Sequence, residues 1–518
     1  MNRAVTSKLI VLCLTLVGVL FESQTYAWAS PAMRASQLSP DERAELLRYA
    51  NDTWRSFERL TQPSGLPADS LPRDGVGWGN PTMSTTPADI AAYLWSVLAA
   101  ERLKLIGTEE CRSRLQRTLS TLASMERHNG FYLNDLDPRT GATLRISPFD
   151  ASPRRPVVSS VDNAWLATAL VMVINVEPTL RSQASKLLEA MNFRFFYDPY
   201  NSVDPIEHPG QLHIGYWVDD RSFYGHYGML NSEARIASYL GIARRQLPSE
   251  HYYRLYRTLP ESLGAQEQKP HGQTREYLGI KVYEGSYSYR GMRIVPSWGG
   301  SMFEALMVTL FVPEGVWAPR SWGVNHPLYV RAQIEHGLEE TNYGCWGFSP
   351  AASPLGGYEV YGVKALGTNP VGYFSYEIGG PISHSLPPNP GGKYNHGIVT
   401  PHASFLALRY APREAVANLR TLTTRFPVYS RFGFHDSVDV SAGVVTGCIL
   451  AIDQGMIMAA IANELADDAM QHAFSDGPIE NIMRPLVAME EFSAGPIGPI
   501  AAGGFTLRLP DDLKTRAK

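Results

Sequence analysis

The sequence predicts an all-α fold of the α/α barrel or toroid kind, and three observations carry that reading. Apolar residues recur at helical spacing in about a dozen stretches between residues 40 and 492. No Pro- or Ser-rich linker interrupts residues 35–510, so those helices belong to one domain. Strand-like alternation is confined to short pieces. A dozen helices without a boundary are accommodated better by a ring of helix pairs than by a simple bundle.

The elements follow in chain order. Arg3 and Lys8 precede the apolar run Leu9–Leu20, and Ala27-Trp28-Ala29 offers small residues before Ser30. This pattern is a secretory signal peptide, residues 1–29, cleaved after Ala29. The run is shorter than the roughly 20 residues a membrane span needs. Cys13 follows Leu12 rather than a small residue, so no lipid attachment is expected there. Residues 30–518 form the mature domain. Ser39-Pro40-Asp41-Glu42 opens its first helix, with acids where the helix dipole favours them. Thr86-Pro87-Ala88-Asp89 opens the next, in which Ile90, Tyr93, Leu94, Val97 and Leu98 share a face. Further helices are expected near 108–127, 161–175, 179–192, 231–245, 249–259, 300–311, 326–340, 402–410, 412–424, 453–470 and 478–492. One β-hairpin is expected between Tyr277 and Val295. The connections 129–160, 194–230, 260–299 and 343–398 are long and aromatic, and long loops in a compact domain are usually functional.

Composition narrows the function. Charged residues make up 19% of the chain and the net charge is −4, which leaves no strong field for nucleic acid or an anionic membrane. After signal removal Cys111, Cys345 and Cys448 remain, too few for a disulfide framework and without metal-binding spacing. Histidines are scattered; His208 and His213 are five apart on an expected loop, and no metal or other cofactor is predicted.

Acids and aromatics gather in the long loops, as in Trp217-Val-Asp219-Asp220, Tyr224-Gly-His-Tyr227, Trp298, Trp317, Trp322 and Trp346. Aromatic faces beside carboxylates suit a sugar, whose ring stacks while its hydroxyls seek acceptors. Glycoside cleavage needs one carboxylic acid to protonate the leaving oxygen and a second carboxylate to activate water or attack the sugar.

Several ordered motifs then resemble a known family. Asn231-Ser-Glu233-Ala-Arg-Ile-Ala-Ser-Tyr-Leu-Gly-Ile-Ala and Ser297-Trp-Gly-Gly-Ser-Met-Phe-Glu304-Ala-Leu-Met resemble segments of the cyclising domains of cyclic β-1,2-glucan synthases. With Trp346-Gly-Phe-Ser, Thr400-Pro-His402-Ala, Gly433-Phe-His-Asp436-Ser and Ile452-Asp453-Gln454-Gly, they resemble the bacterial glucoamylase-like domain family. That family includes the endo-β-1,2-glucanases of glycoside hydrolase family 144. The likeness spans roughly residues 40–495. It implies an (α/α)6 barrel with long loops and a small β-hairpin element over the cleft. It also implies a periplasmic or secreted glycoside hydrolase that needs no cofactor and acts on an oligo- or polysaccharide, a β-1,2-linked glucan first.

Carried over residue by residue, the resemblance makes Glu233 the general acid and Glu304 the second carboxylate. Asp436 competes for that second role. Asp162, Trp165, Tyr227, Trp298, His402 and Asp453 are expected to line the sugar. A transglycosylase of the same fold and a non-catalytic glycan-binding component of a polysaccharide assembly or export system are the competing readings. A polysaccharide lyase would want a basic cleft for uronic acids, and Arg290 and Arg293 are too few to build one.

Overall fold

The computed structural model describes residues 38–497, apart from 75–76, 149, 264–265, 355–356 and 369–396. The signal-peptide reading of residues 1–29 and the Cys13 question lie outside the described residues. Residues from Ser36 onward form one compact unit. No helix among the described residues is long and apolar enough to cross a membrane.

Helices dominate. In chain order they are α1 (Pro40–Leu60), α2 (Pro87–Arg102), α3 (Thr108–Ser124), α4 (Ser160–Val176), α5 (Arg181–Glu189), α6 (Arg235–Ala243), α7 (Glu250–Arg254), α8 (Met302–Leu306), α9 (Glu314–Trp317), α10 (Trp322–Glu335), α11 (Pro401–Ala407), α12 (Pro412–Arg425), α13 (Ala451–Leu465), α14 (Ala469–Ser475) and α15 (Pro478–Val487). The starts of α1 and α2 obey local chemistry. Ser39 and Glu42 form a reciprocal capping box, as do Thr86 and Asp89, and Pro40 and Pro87 occupy the first turn, where no N–H is missed.

Two kinds of helix sort into two positions. α1, α3 and α12 bury one stripe each, such as Leu46, Tyr49, Ala50, Trp54 and Phe57 of α1. α2, α4 and α13 are buried nearly all round, which only a helix surrounded by other helices tolerates. Packing links these inner helices in series: α6 against α4, α4 against α2, α2 against α13, α13 against α11, and α11 against α8. The side chain of Arg235 at the start of α6 donates to the carbonyls of Glu304 and Ala305 in α8, so the two ends of the series also touch. The buried rings of Trp95 in α2, Trp165 in α4 and Phe311 beyond α8 pack together with centroids 4.8–6.0 Å apart.

Several expected elements are cut differently. The hairpin expected over Tyr277–Val295 is two hairpins, Thr274–Tyr277 with Ile280–Tyr283 and Tyr287–Tyr289 with Met292–Ile294. The helix expected over 231–245 starts only at Arg235, which leaves Glu233 in the preceding turn. The helix expected over 453–470 divides into α13 and α14, because Asp467 and Asp468 take left-handed conformations that end the first helix. The loops also hold eight small sheets of two or three strands among the described residues, each too short to write a period-2 pattern into the sequence. Cys111, Cys345 and Cys448 are free thiols.

Candidate active site

The inner helices bring one kind of residue to one place: their first turns. Asp89, Asp162, Glu304 and Asp453 are each the third residue of α2, α4, α8 and α13; His402 is the second residue of α11, and Glu233 lies two residues before α6. Three of these acids follow a hydroxyl cap three residues earlier, with Thr86, Ser159 and Ser301 accepting from the N–H groups of Asp89, Asp162 and Glu304.

What each carboxylate does next separates capping from chemistry. Asp89 turns back and accepts from its own cap, the Thr86 N–H, at 3.0 Å. Glu304 instead accepts the backbone N–H of Glu233 at 3.1 Å, across 71 residues of chain. The Trp165 indole N–H donates to Glu233 at 2.5 Å. Glu233 and Glu304 are each partly exposed. Burial, followed by the neighbouring charge of Glu304, pushes the Glu233 carboxyl well above its ordinary range. Burial also raises Glu304, opposed by hydrogen bonds from Ser232 and the Glu233 backbone that favour the charged form. Burial and the Glu304 charge thus favour the neutral form of Glu233, while the hydrogen bonds to Glu304 favour its charged form, the division of labour that acid/base chemistry needs.

Backbone geometry aims this pair. Gly300 has φ +73°, and a Cβ there would sit 2.1 Å from the Val363 carbonyl oxygen, so only glycine permits the bend that enters α8. Behind the pair, Arg235 is fully buried and places all five of its donors. Two form a fork on Glu314, at 2.7 and 2.9 Å. The other three reach the carbonyls of Ser232 (2.9 Å), Glu304 (3.1 Å) and Ala305 (2.8 Å). One guanidinium thus holds the backbone on both sides of Glu233 and Glu304.

Asp436 belongs to a second acidic group, with His402 and Asp453. The Asp436 carboxylate accepts from the Ala352 N–H, and His402 Nδ1 lies 3.3 Å from Asp453. Burial and then the Asp453 charge push Asp436 well up, and burial sets Asp453 at about 7 and His402 at about 4. Burial thus favours the neutral forms of both aspartates and of the imidazole. Both ring nitrogens of His402, one oxygen of Asp436 and one of Asp453 are buried without a hydrogen-bond partner. Groups of that kind suit a sugar's hydroxyls or bound water.

The remaining expected residues divide. Tyr227 is half-buried, its phenol raised by burial and by the charges of Glu233, Asp162 and Glu304, so it faces the glutamate pair. Asp162 is half-buried, with its carboxyl raised by burial. Trp298 is 37% exposed and offers a ring to solvent just before α8. Trp165 corrects the expectation of a sugar platform: it is 1% exposed, with its ring packed on Trp95 and Phe311, and only its N–H addresses the site. Trp317, Trp322 and Trp346 are likewise core residues. Asp219 and Asp220 are exposed and bound to Arg155, which lies over Trp217.

Sequence reasoning missed Asp69, Asp89 as a site acid, Arg235 and Tyr358. The Asp69 and Asp162 charges raise Asp89, and those of Asp69 and Asp89 raise Asp453, so the acids form one continuous band. Tyr358 is 54% exposed as a residue, while its phenol is pushed well up by burial and then by the charges of Asp453, Asp436, Glu233 and Asp69. Asp89 could have been found from its capping spacing, shared with Asp162 and Glu304; nothing in the sequence marks Tyr358. Arg290 is engaged with Glu335 and Glu339.

Comparison with known proteins bears on the family and the fold. Residues 274–478 match the Glycoamylase family model, described as "Putative glucoamylase". Residues 48–196 match a second model, described only as a protein of unknown function. The chain is 24% identical to the cyclic beta-(1,2)-glucan synthase NdvB of Rhizobium meliloti over 88% of its own length, and spans 19% of that much longer relative. The endo-beta-1,2-glucanase of Chitinophaga pinensis, solved with sophorotriose and glucose, superposes with a TM-score of 0.59 at 16% identity, covering 87% of this chain and 98% of that one. The beta-1,2-glucanase of Parabacteroides distasonis gives a TM-score of 0.62 at 15% identity, over 86% of this chain and 60% of that one. The resemblance to glucoamylase-like domains and cyclic β-1,2-glucan synthases therefore holds, and the structural likenesses show a shared fold.

Proposed function

We propose that the chain is a glycoside hydrolase that cleaves β-1,2-glucan by paired-carboxylate catalysis, within an (α/α)6 barrel occupying the mature domain from Ser30. The barrel reading is supported by the series α6, α4, α2, α13, α11, α8 and by the outward position of the amphipathic helices. The catalytic reading rests on one observation. Glu304 leaves its own helix start to accept from Glu233, whose carboxyl is pushed well above its ordinary range.

In this reading Glu233 protonates the glycosidic oxygen, and Glu304 supplies the second carboxylate. The Trp165 N–H orients Glu233, and Tyr227 lines the pair. Asp436, Asp453 and His402 bind hydroxyls of the glucan farther along the acidic band. No cofactor enters the reaction. The basic, then apolar N-terminal segment supports export to the periplasm or beyond.

A transglycosylase is the second reading, favoured by the likeness to a cyclic glucan synthase. Purified protein incubated with linear β-1,2-glucan, β-1,3-glucan, cellulose, starch and dextran decides between them. Short oligosaccharides from β-1,2-glucan alone are expected, with turnover lost in Glu233→Gln and Glu304→Gln. Cyclic or lengthened products would make it a transglycosylase. Binding without product would leave a glycan-binding component, and hydrolysis surviving both substitutions would remove the glutamates from the chemistry.

A further inference from the structure

The geometry points to a second, separate site: Asp198, His213 and His226 form a binding site for a divalent transition-metal ion of the Zn2+ class, with His208 orienting the aspartate.

The site is built by strand register. His213–Trp217 and Ser222–His226 pair as a hairpin, and His213 and His226 are direct cross-strand partners at its open end. Side chains of such partners lie on the same face. Their imidazoles stack with centroids 4.4 Å apart. Asp198 arrives from a separate segment, held beside the hairpin by its N–H donating to Gln211 at 2.9 Å and by the bridge between Tyr197 and Leu212. One ligand atom from each of Asp198, His213 and His226 lies within 4.8 Å of the others. A tetrahedral ion with bonds of about 2.0–2.1 Å would space its ligands by roughly 3.3 Å, so modest side-chain rotations close the site.

The surroundings resemble the support such ligands need. His213 Nδ1 lies 3.0 Å from the Gly225 carbonyl, which can only accept, so Nδ1 carries the proton and Nε2 keeps its lone pair for a metal. Gly225 aims that carbonyl with φ +52°, and a Cβ there would meet Ile214 at 2.6 Å. Asp198 is buried and spends one oxygen on each of two histidines, His208 Nδ1 at 2.8 Å and His226 Nε2 at 2.9 Å. His213 and His226 are half-buried, which leaves an entry path and room for water as a further ligand. Two imidazoles and a carboxylate select zinc, cobalt or nickel over magnesium or calcium.

The ion's role follows from position. His226 directly precedes Tyr227, and the strand Val157–Ser159 that pairs with this hairpin ends at the cap of α4, which carries Asp162 and Trp165. A bound ion would lock the hairpin that joins these parts. This role is structural; the ion does not touch the glutamate pair.

The test titrates untagged, chelator-treated protein with ZnCl2 by calorimetry and with CoCl2 by visible absorption. One equivalent of each is expected, with the bands of low-coordinate Co2+, and Zn2+ should raise the thermal midpoint. His213→Gln and His226→Gln should abolish binding, and His208→Gln should weaken it about 10- to 100-fold, as loss of an orienting partner does. Asp453→Asn should leave it unchanged. Circular dichroism establishes that each variant is folded. No saturable binding by the folded protein, binding that survives both histidine variants, or binding lost only in Asp453→Asn would overturn the proposal.

Discussion

Replacing Arg235 by methionine tests the central packing argument most severely. The change keeps length and apolar volume but removes five donors and one charge. Burial alone would raise the Glu314 carboxyl, but Arg235 and His326 outweigh it and hold it at about 2. Without Arg235 that charge stays buried, with only the Tyr239 hydroxyl at 2.6 Å and His326 at 3.0 Å to meet it. Breaking a buried ion pair from one side costs about 3–5 kcal/mol. Whole domains are stable by only about 5–15 kcal/mol, so Arg235→Met should consume about a fifth of the total or more. Urea unfolding measures this as a fall in midpoint at unchanged slope. The double variant Arg235→Met/Glu314→Leu removes the orphaned charge and should recover at least about 2 kcal/mol relative to the sum of the single changes. Arg235→Lys keeps the charge with three donors instead of five, so the carbonyls of Ser232, Glu304 and Ala305 cannot all be held. It should lower kcat on β-1,2-glucan with KM little changed, because the glutamate pair drifts while the rest of the acidic band stays. A cost below about 1 kcal/mol for Arg235→Met, or strict additivity in the double variant, would refute the reasoning.

Two further outcomes follow from the same structure. Arg257, Glu490 and Glu284 form a second fully buried charge group, in which burial sets Glu284 at about 8 against an ordinary 4.5. The folded protein keeps a proton that the unfolded chain releases near 4.5, so this contribution is fully present below that pH and is lost as pH rises through about 8. The gap is worth at most roughly 5 kcal/mol, and Glu284→Gln should therefore be more stable than the parent in thermal melts at about pH 8.5, with the difference vanishing near pH 4. Trp165→Phe removes a donor that favours the charged form of Glu233, so the alkaline limb of the pH–rate profile should move upward; the cavity should cost roughly 1–3 kcal/mol in urea unfolding, and an unmoved limb would detach Trp165 from the acid.

Helix starts were the most legible feature of this chain, because a cap is written in neighbouring residues. Thr86 with Asp89 and Ser39 with Glu42 are examples, and both boxes form as their spacing indicates. The motifs around Glu233 and Glu304 were legible too, since each is a contiguous string. Their partnership was not. It depends on a backbone N–H meeting a carboxylate 71 residues away, and no local pattern encodes that meeting.

Burial misled the reading of aromatics. A tryptophan near an acid reads the same whether its face or its edge is presented, and only packing turned the Trp165 ring into the core while its N–H reached Glu233. Histidine spacing carried no signal for the hairpin, since His213 and His226 look unrelated in sequence until strand register sets them opposite one another.

Local chemistry therefore determined where the capped helices α1 and α2 begin and that Asp89 stands in a first turn. The tertiary structure decided which of the first-turn acids cap their own helix, as Asp89 does, and which face a neighbour, as Glu304 does. Capping is settled within a few residues of chain. The raised Glu233 carboxyl needs burial and the Glu304 charge, and the meeting of α6 and α8, tied by Arg235, brings that charge from 71 residues away.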